Sequence, residues 1–318
     1  MTRSNQPAPT PTRTTGLLHR PGYRSNFLGA SHKVELPGFT PQLQADLATA
    51  TGGGPELKYW TYSAFVSTSR RLPVLSAANF QRGTAAGVSR ATAVWQSDPR
   101  LAKPRASSRQ VINSWYKHQP PHLGHRLFDR GHLTAFENAA WGRQAERNGL
   151  DTFFFTNCAP QDPAFNEHAV WRQIETWVAT QGDTNKILIF NGPVFDAPPS
   201  TPAADGYYQL NPFQPPAADP VLLGVSIPKQ YFKVAVYLAG GKLAVQSFVV
   251  TQEAYLAQDH LSFAGAPPNK RELALYRVPL AVVGHLTGLD FGALAGAAGS
   301  VNALRPAAFQ LIKHPDDL

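Results

Sequence analysis

Apolar positions along this chain fall mostly in dense runs of aromatic and β-branched residues rather than in a helical period. The runs LKYWTYSAFVST, DTFFFTN, KILIFNGPVF, KQYFKVAVYLAGGKLAVQSFVVT and LALYRVPL have strand composition, because branched and aromatic side chains pack well on a pleated surface. Within the fourth run, Gly240 and Gly241 separate FKVAVYLA from KLAVQSF and predict a tight hairpin. Helical spacing is confined to two segments. HLTAFENAAWGRQAERNG stops at Gly149 and AFNEHAVWRQIETWVATQG stops at Gly182, each with a glycine where a helix can end. Strands dominate, helices are inserted among them, and no repeat of roughly 20–50 residues is visible. The pattern predicts an α+β fold, with residues 35–318 as a single domain.

Two stretches break the pattern. TRSNQPAPTPTRTTG is too rich in Pro, Thr and Ser to bury apolar area, so residues 1–34 are expected to form a flexible basic leader. APPSTPAADGYYQLNPFQPPAADP is expected to be a surface loop, since its prolines cannot sit in a central strand. No apolar run approaches the roughly 20 residues of a membrane span. The start of the chain also lacks the apolar core of a secretory signal. No membrane partner is therefore expected, and the compartment stays open between cytoplasm and export by a dedicated system. Cys158 stands alone, which excludes an intrachain disulfide and a cysteine-based zinc site.

Charge adds a direction. The chain carries a formal +8, of which the acid-free leader supplies +5. Residues 66–132 hold eleven Lys or Arg against Asp98 and Asp129, whereas residues 133–318 hold twelve against sixteen acids. The folded part thus has a basic segment suited to a polyanion. That segment ends on FDRGHLTA.

The FDRGHLTA motif and the residues C-terminal to it point to phosphodiester chemistry. Downstream, FFFTNCAPQDPAFNEHAVWRQIETW delivers Asn157, Asn166 and Glu175 to the neighbourhood of His132. Hydrolysis of a phosphodiester needs a base for water, a cation for the transition-state charge and support for the departing oxygen. His132 is mostly neutral at pH 7 and suits the base, so activity is expected to fall below about pH 6.5. Asn166 offers a hard uncharged oxygen to Mg²⁺, Glu175 suits hydrogen bonds to the water around it, and Arg130 with an upstream arginine suits phosphate oxygens. Other readings are weaker. His118, His122, His125 and His132 are interrupted by two prolines and do not align as a zinc set. Cys158 reads as a small buried hydrophobe, and Tyr59, Trp60, Tyr62 and Phe65 as strand core rather than a base-stacking platform.

In these motifs the chain resembles the DNA/RNA non-specific endonucleases of the ββα-metal, or His-Me finger, type. The stretches that carry the resemblance are LKYWTYSAFVSTSRRLPVLSAANFQRG, SRATAVWQSDPRL, FDRGHLTA, TFFFTNCAPQDPAFNEHAVWRQIETWV, IFNGPVF, IPKQYFKVAVYL and YRVPLAVVGHLTGLDF, over roughly residues 55–292, with RPGYRSNFLG extending it toward the start. The resemblance implies a central antiparallel sheet flanked by helices. It implies His132 as general base, Asn166 as the protein ligand of Mg²⁺ (or Mn²⁺), Glu175 on metal-held water, and Arg130 and Arg90 on phosphate, with Arg82 or Arg100 as substitutes for Arg90. Asn157, Asp129 and Gly131 would shape the motif. DNA and RNA follow as substrates. A catalytically silent nucleic-acid-binding protein is the alternative, as is a toxin or defence effector built on the same domain; an inhibitor or immunity protein and a homodimer are compatible partners. The chain departs from the family pattern in two places: after Asn166, Trp171 follows by five residues rather than four and Glu175 by nine rather than eight, and Arg90 is spaced more loosely from Trp95. Nine residues turn an ideal helix by about half a revolution beyond whole turns, so either Asn166 precedes the regular helix or a bulge restores the phase.

Overall fold

A computed structural model of the protein describes residues 16–82, 88–101, 109–122, 125–167, 170–202, 208–258, 275–292, 294 and 309–312. The strand-like runs assemble into an eight-stranded sheet. From edge to edge its strands are Gln310–Ile312, Leu275–Arg277, Lys242–Thr251, Gln230–Ala239, Lys186–Val194, Pro73–Gln81, Tyr62–Val66 and Leu57–Lys58, and every neighbouring pair is antiparallel. Gly240 and Gly241 both adopt positive φ in the turn joining Ala239 to Lys242, the backbone that matches the twist of the flanking strands.

The sheet is covered on both faces, which explains runs that read as continuously apolar. Tyr231, Ala235 and Tyr237 face a core shared with Trp171, Ile174 and Val178 of the Val170–Thr180 helix. Phe232, Val234, Val236 and Leu238 face the opposite core, with Val282 and Val283 of the Leu280–Thr287 helix. This alternation follows from the two-residue period of a strand.

Three expectations require correction. The leader does not remain flexible as far as residue 34. Tyr23, Phe27, Leu28 and Val34 are buried in the second core, and Arg20 forms an ion pair at 2.6 Å with Asp151, both side chains being 1% exposed. Composition misled here because a few aromatics suffice to dock a polar segment; residues 1–15 lie outside the described residues. DTFFFTN is not a strand but two 3-10 turns, Asp151–Phe153 and Phe155–Asn157. The turns send three successive phenylalanines into three different clusters, a fan that alternating strand geometry would not provide. The helix read from His132 to Gly149 is two short helices, Phe136–Ala139 and Ala145–Leu150, broken where Gly142 takes φ +76°.

Because removing one partner of a buried ion pair strands the other charge, Arg20→Met is expected to lower stability by about 3–5 kcal/mol. Urea unfolding checks this, and a change below about 1 kcal/mol would show that the segment around Arg20 is not anchored through Asp151.

Candidate active site

The FDRGHLTA motif forms a strand by pairing with a segment 25 residues further on. Asp129–His132 runs antiparallel to Cys158–Gln161, with Asp129 opposite Gln161, Arg130 opposite Pro160, Gly131 opposite Ala159 and His132 opposite Cys158. The approach of the strands explains the glycine: a Cβ at Gly131 would stand 2.1 Å from the Gln161 Oε1. Immediately after Gln161, the Asp162 Oδ1 accepts bonds from the N–H groups of Ala164 at 2.8 Å and Phe165 at 3.2 Å. That cap starts the Pro163–Glu167 helix, which carries Asn166.

Asn157 locks the strand from behind. Its Oδ1 accepts from the Thr134 N–H at 2.9 Å and the Ser76 hydroxyl at 3.0 Å, and its Nδ2 donates to the carbonyls of Thr134 at 2.9 Å and Thr152 at 3.1 Å. The whole bonding capacity of the buried amide is thereby used.

Arg90, His132, Asn166 and Glu175 line one cleft of about 850 Å³, together with Arg82, Glu137, Trp171 and Arg172. His132 is wedged between Trp95 and Phe153, each with its ring centroid 4.7 Å away. Its Nε2 has no hydrogen-bond partner among the described residues. Burial, seconded by the Arg90 charge, lowers its pKa to about 3. The imidazole is therefore a neutral proton acceptor across the physiological range.

Arg90 reaches the cleft with an exposed guanidinium that pairs with Glu137 and lies 5.5 Å over the Phe136 ring. Its substitutes are otherwise engaged. Arg100 is buried against Asp98 at 2.6 Å, and Arg82, although it lines the cleft, bonds Asn185 and the carbonyls that end the Val170–Thr180 helix. Arg130 is not among the cleft-lining residues: its guanidinium donates to the Asn113 Oδ1 at 2.7 Å and lies 5.4 Å over Tyr116.

The nine-residue spacing does not keep Asn166 and Glu175 apart. Asn166 lies on the helical segment Pro163–Glu167 and Glu175 on Val170–Thr180, and residues 168 and 169 between them lie outside the described residues. Both residues face the cleft. The Glu175 carboxylate lies 3.5 Å from the Nζ of Lys233. Burial raises its pKa, and the lysine opposes that shift.

The donor set suits a hard divalent cation. The Asn166 Nδ2 donates to the Asp129 Oδ2 at 3.4 Å, leaving its Oδ1 as the atom for a metal. Among the described residues no cluster of three or more His, Cys, Asp or Glu forms a multidentate cage. A single amide ligand fits Mg²⁺, which retains most of its water. Cys158 takes no part: it is buried against the Tyr116 hydroxyl, and burial pushes its thiol up to about 12.

With this geometry in place, the sequence model of the DNA/RNA non-specific endonucleases matches residues 42–297. The chain belongs to that family. It is 26% identical over 282 residues to the uncharacterized protein y4fB of Sinorhizobium fredii, covering 86% of this chain and 39% of that protein. It is 34% identical over 128 residues to the mitochondrial endonuclease G of Bos taurus, covering 39% of this chain and 38% of that one. The chain thus spans about two-fifths of the length of these relatives. A solved EndoG/EndoGI complex matches with a TM-score of 0.49 at 19% identity, over 78% of this chain and 89% of the solved one.

Sequence reasoning missed Glu137, Lys233 and the aromatic pair around His132. Lys233 carried a signal: it is a lysine at a core-facing position between Tyr231 and Ala235. Glu137 carried none beyond its place in a short helix.

The expected acid limit near pH 6.5 therefore moves. A base whose pKa is depressed stays neutral as pH falls, so the His132 limb of kcat/KM should lie well below pH 6. In Arg90→Gln, which removes one cause of the depression, it should rise. Neutral His132 also contributes stability that is present above pH 6.5 and lost as pH falls toward 3. A wild-type limb at 6.5 that does not shift in Arg90→Gln would contradict this assignment.

Proposed function

We propose that the protein is a divalent-metal-dependent endonuclease that hydrolyses DNA and RNA with little sequence preference. The observation that carries this reading is the convergence of His132, Asn166, Glu175 and Arg90, drawn from four separate segments, on one cleft. His132, neutral and without a partner at Nε2 among the described residues, accepts a proton from the attacking water. Asn166 presents its Oδ1 to Mg²⁺ or Mn²⁺. The bound cation supplies positive charge to the scissile phosphate and the departing 3′ oxygen. Glu175 accepts hydrogen bonds from water in the cleft and keeps that water oriented.

Arg90 neutralises phosphate charge, exchanging Glu137 for the substrate as it does so. Asp129 orients Asn166, Gly131 admits the strand pairing, and Asn157 fixes the segment behind His132. Arg130 supports the motif through Asn113 and Tyr116 rather than through phosphate. Recognition through backbone phosphates, without base readout, accounts for lax specificity.

Cleavage of supercoiled plasmid, single-stranded DNA and RNA with Mg²⁺, Mn²⁺ or EDTA tests the reading. All three substrates should be cut with metal and none with EDTA, and His132→Ala, if folded, should lose about 10²–10⁴-fold in kcat. Metal-independent cleavage, or full activity in His132→Ala, would remove the mechanism.

A further inference from the structure

Lys233 is the charge least expected where it stands. It lies on a central strand between Tyr231 and Ala235, on a face that otherwise packs aromatic and aliphatic side chains, and its side chain is 0% exposed. Its Nζ lies 3.5 Å from the Glu175 Oε1 and 4.3 Å over the ring of Trp171, and both of these residues line the cleft. Burial lowers the pKa of Lys233, and Glu175 opposes the shift. Stability does not account for such a pair, since apolar residues of equal size serve a core as well or better.

Polar character continues from Lys233 across the sheet. Lys233 is in register with Asn191, and Asn191 with Ser76. Asn191 is fully buried, and neither atom of its amide has a hydrogen-bond partner among the described residues. Ser76 meets Asn157 and Thr134. One polar row therefore runs beneath the cleft, from the clamp behind His132 to the carboxylate of Glu175.

We propose that Lys233 is a positioning residue for the reaction, holding the Glu175 carboxylate aimed into the cleft from below. The proposal rests on the nuclease reading of the cleft and extends it to a residue that lies under the cleft wall. Lys233 acts through Glu175, and Trp171 confines its ammonium to one approach.

A double-mutant cycle over Lys233→Met, Glu175→Gln and the pair, with Lys233→Arg as the conservative variant, tests it. Thermal unfolding, kcat and KM on plasmid, and Mn²⁺ affinity by calorimetry are measured for each. Lys233→Met should lose about 10- to 100-fold in kcat and in Mn²⁺ affinity. On the Glu175→Gln background it should add less than about threefold, and Lys233→Arg should recover part of the loss. A folded Lys233→Met with wild-type kcat and Mn²⁺ affinity overturns the proposal, as do losses that add to those of Glu175→Gln.

If Lys233→Met fails to fold because Glu175 is left unpaired, the double variant carries no stranded charge, and its comparison with Glu175→Gln decides by the same criterion. Wild-type protein that binds Mn²⁺ but cleaves nothing would sink the nuclease reading alone, and the Mn²⁺ cycle would still decide whether Lys233 acts through Glu175. Wild-type protein that does neither removes both.

Discussion

The four-residue pairing of Asp129–His132 with Cys158–Gln161 is the constraint on which the rest of the site depends. It brings a histidine at the end of one strand beside a helix that begins just after the other strand. Without it, His132 and Asn166 are separated by 34 positions of chain and have no reason to meet. The pairing is itself conditional. Gly131 permits the approach of Gln161, and the Asn157 amide ties Thr134 and Thr152 together. Buried amides with every bond made are rigid supports, because breaking any one bond leaves a polar group without water.

Burial around this pairing also sets the chemistry. Trp95 and Phe153 take water away from His132 and so keep its imidazole neutral. Burial acts oppositely on Glu175, whose charge it disfavours, and Lys233 offsets that effect from beneath. An imidazole that burial keeps neutral and a carboxylate that a buried lysine attends thus share one cleft, and the sheet supplies the difference between them.

Much of this was legible in the sequence. The antiparallel hairpin at Gly240-Gly241, the long apolar strands and the residue types of the site come from period, turn chemistry and motif order. What was hidden depends on distance in the fold rather than on local pattern. Asp151 pairs with Arg20 across more than a hundred residues, and no local composition rule marks Arg20 as anchored. Three successive phenylalanines look like a strand until the three clusters that receive them are known. The Asn166–Glu175 spacing looks anomalous on an ideal helix, yet both residues line the cleft. Arg130 lies beside His132 in the motif, and its contacts with Asn113 and Tyr116 could not be read from the motif.

On the proposed reading, Asn166, placed by the strand pairing, is where a divalent cation meets this chain. Anomalous diffraction from crystals of His132→Ala soaked with Mn²⁺ measures that directly. A single strong peak is expected in the cleft beside the Asn166 Oδ1, with Glu175 facing the water around it. A peak held by other residues, or Mn²⁺ bound unchanged in crystals of Asn166→Ala, would contradict it.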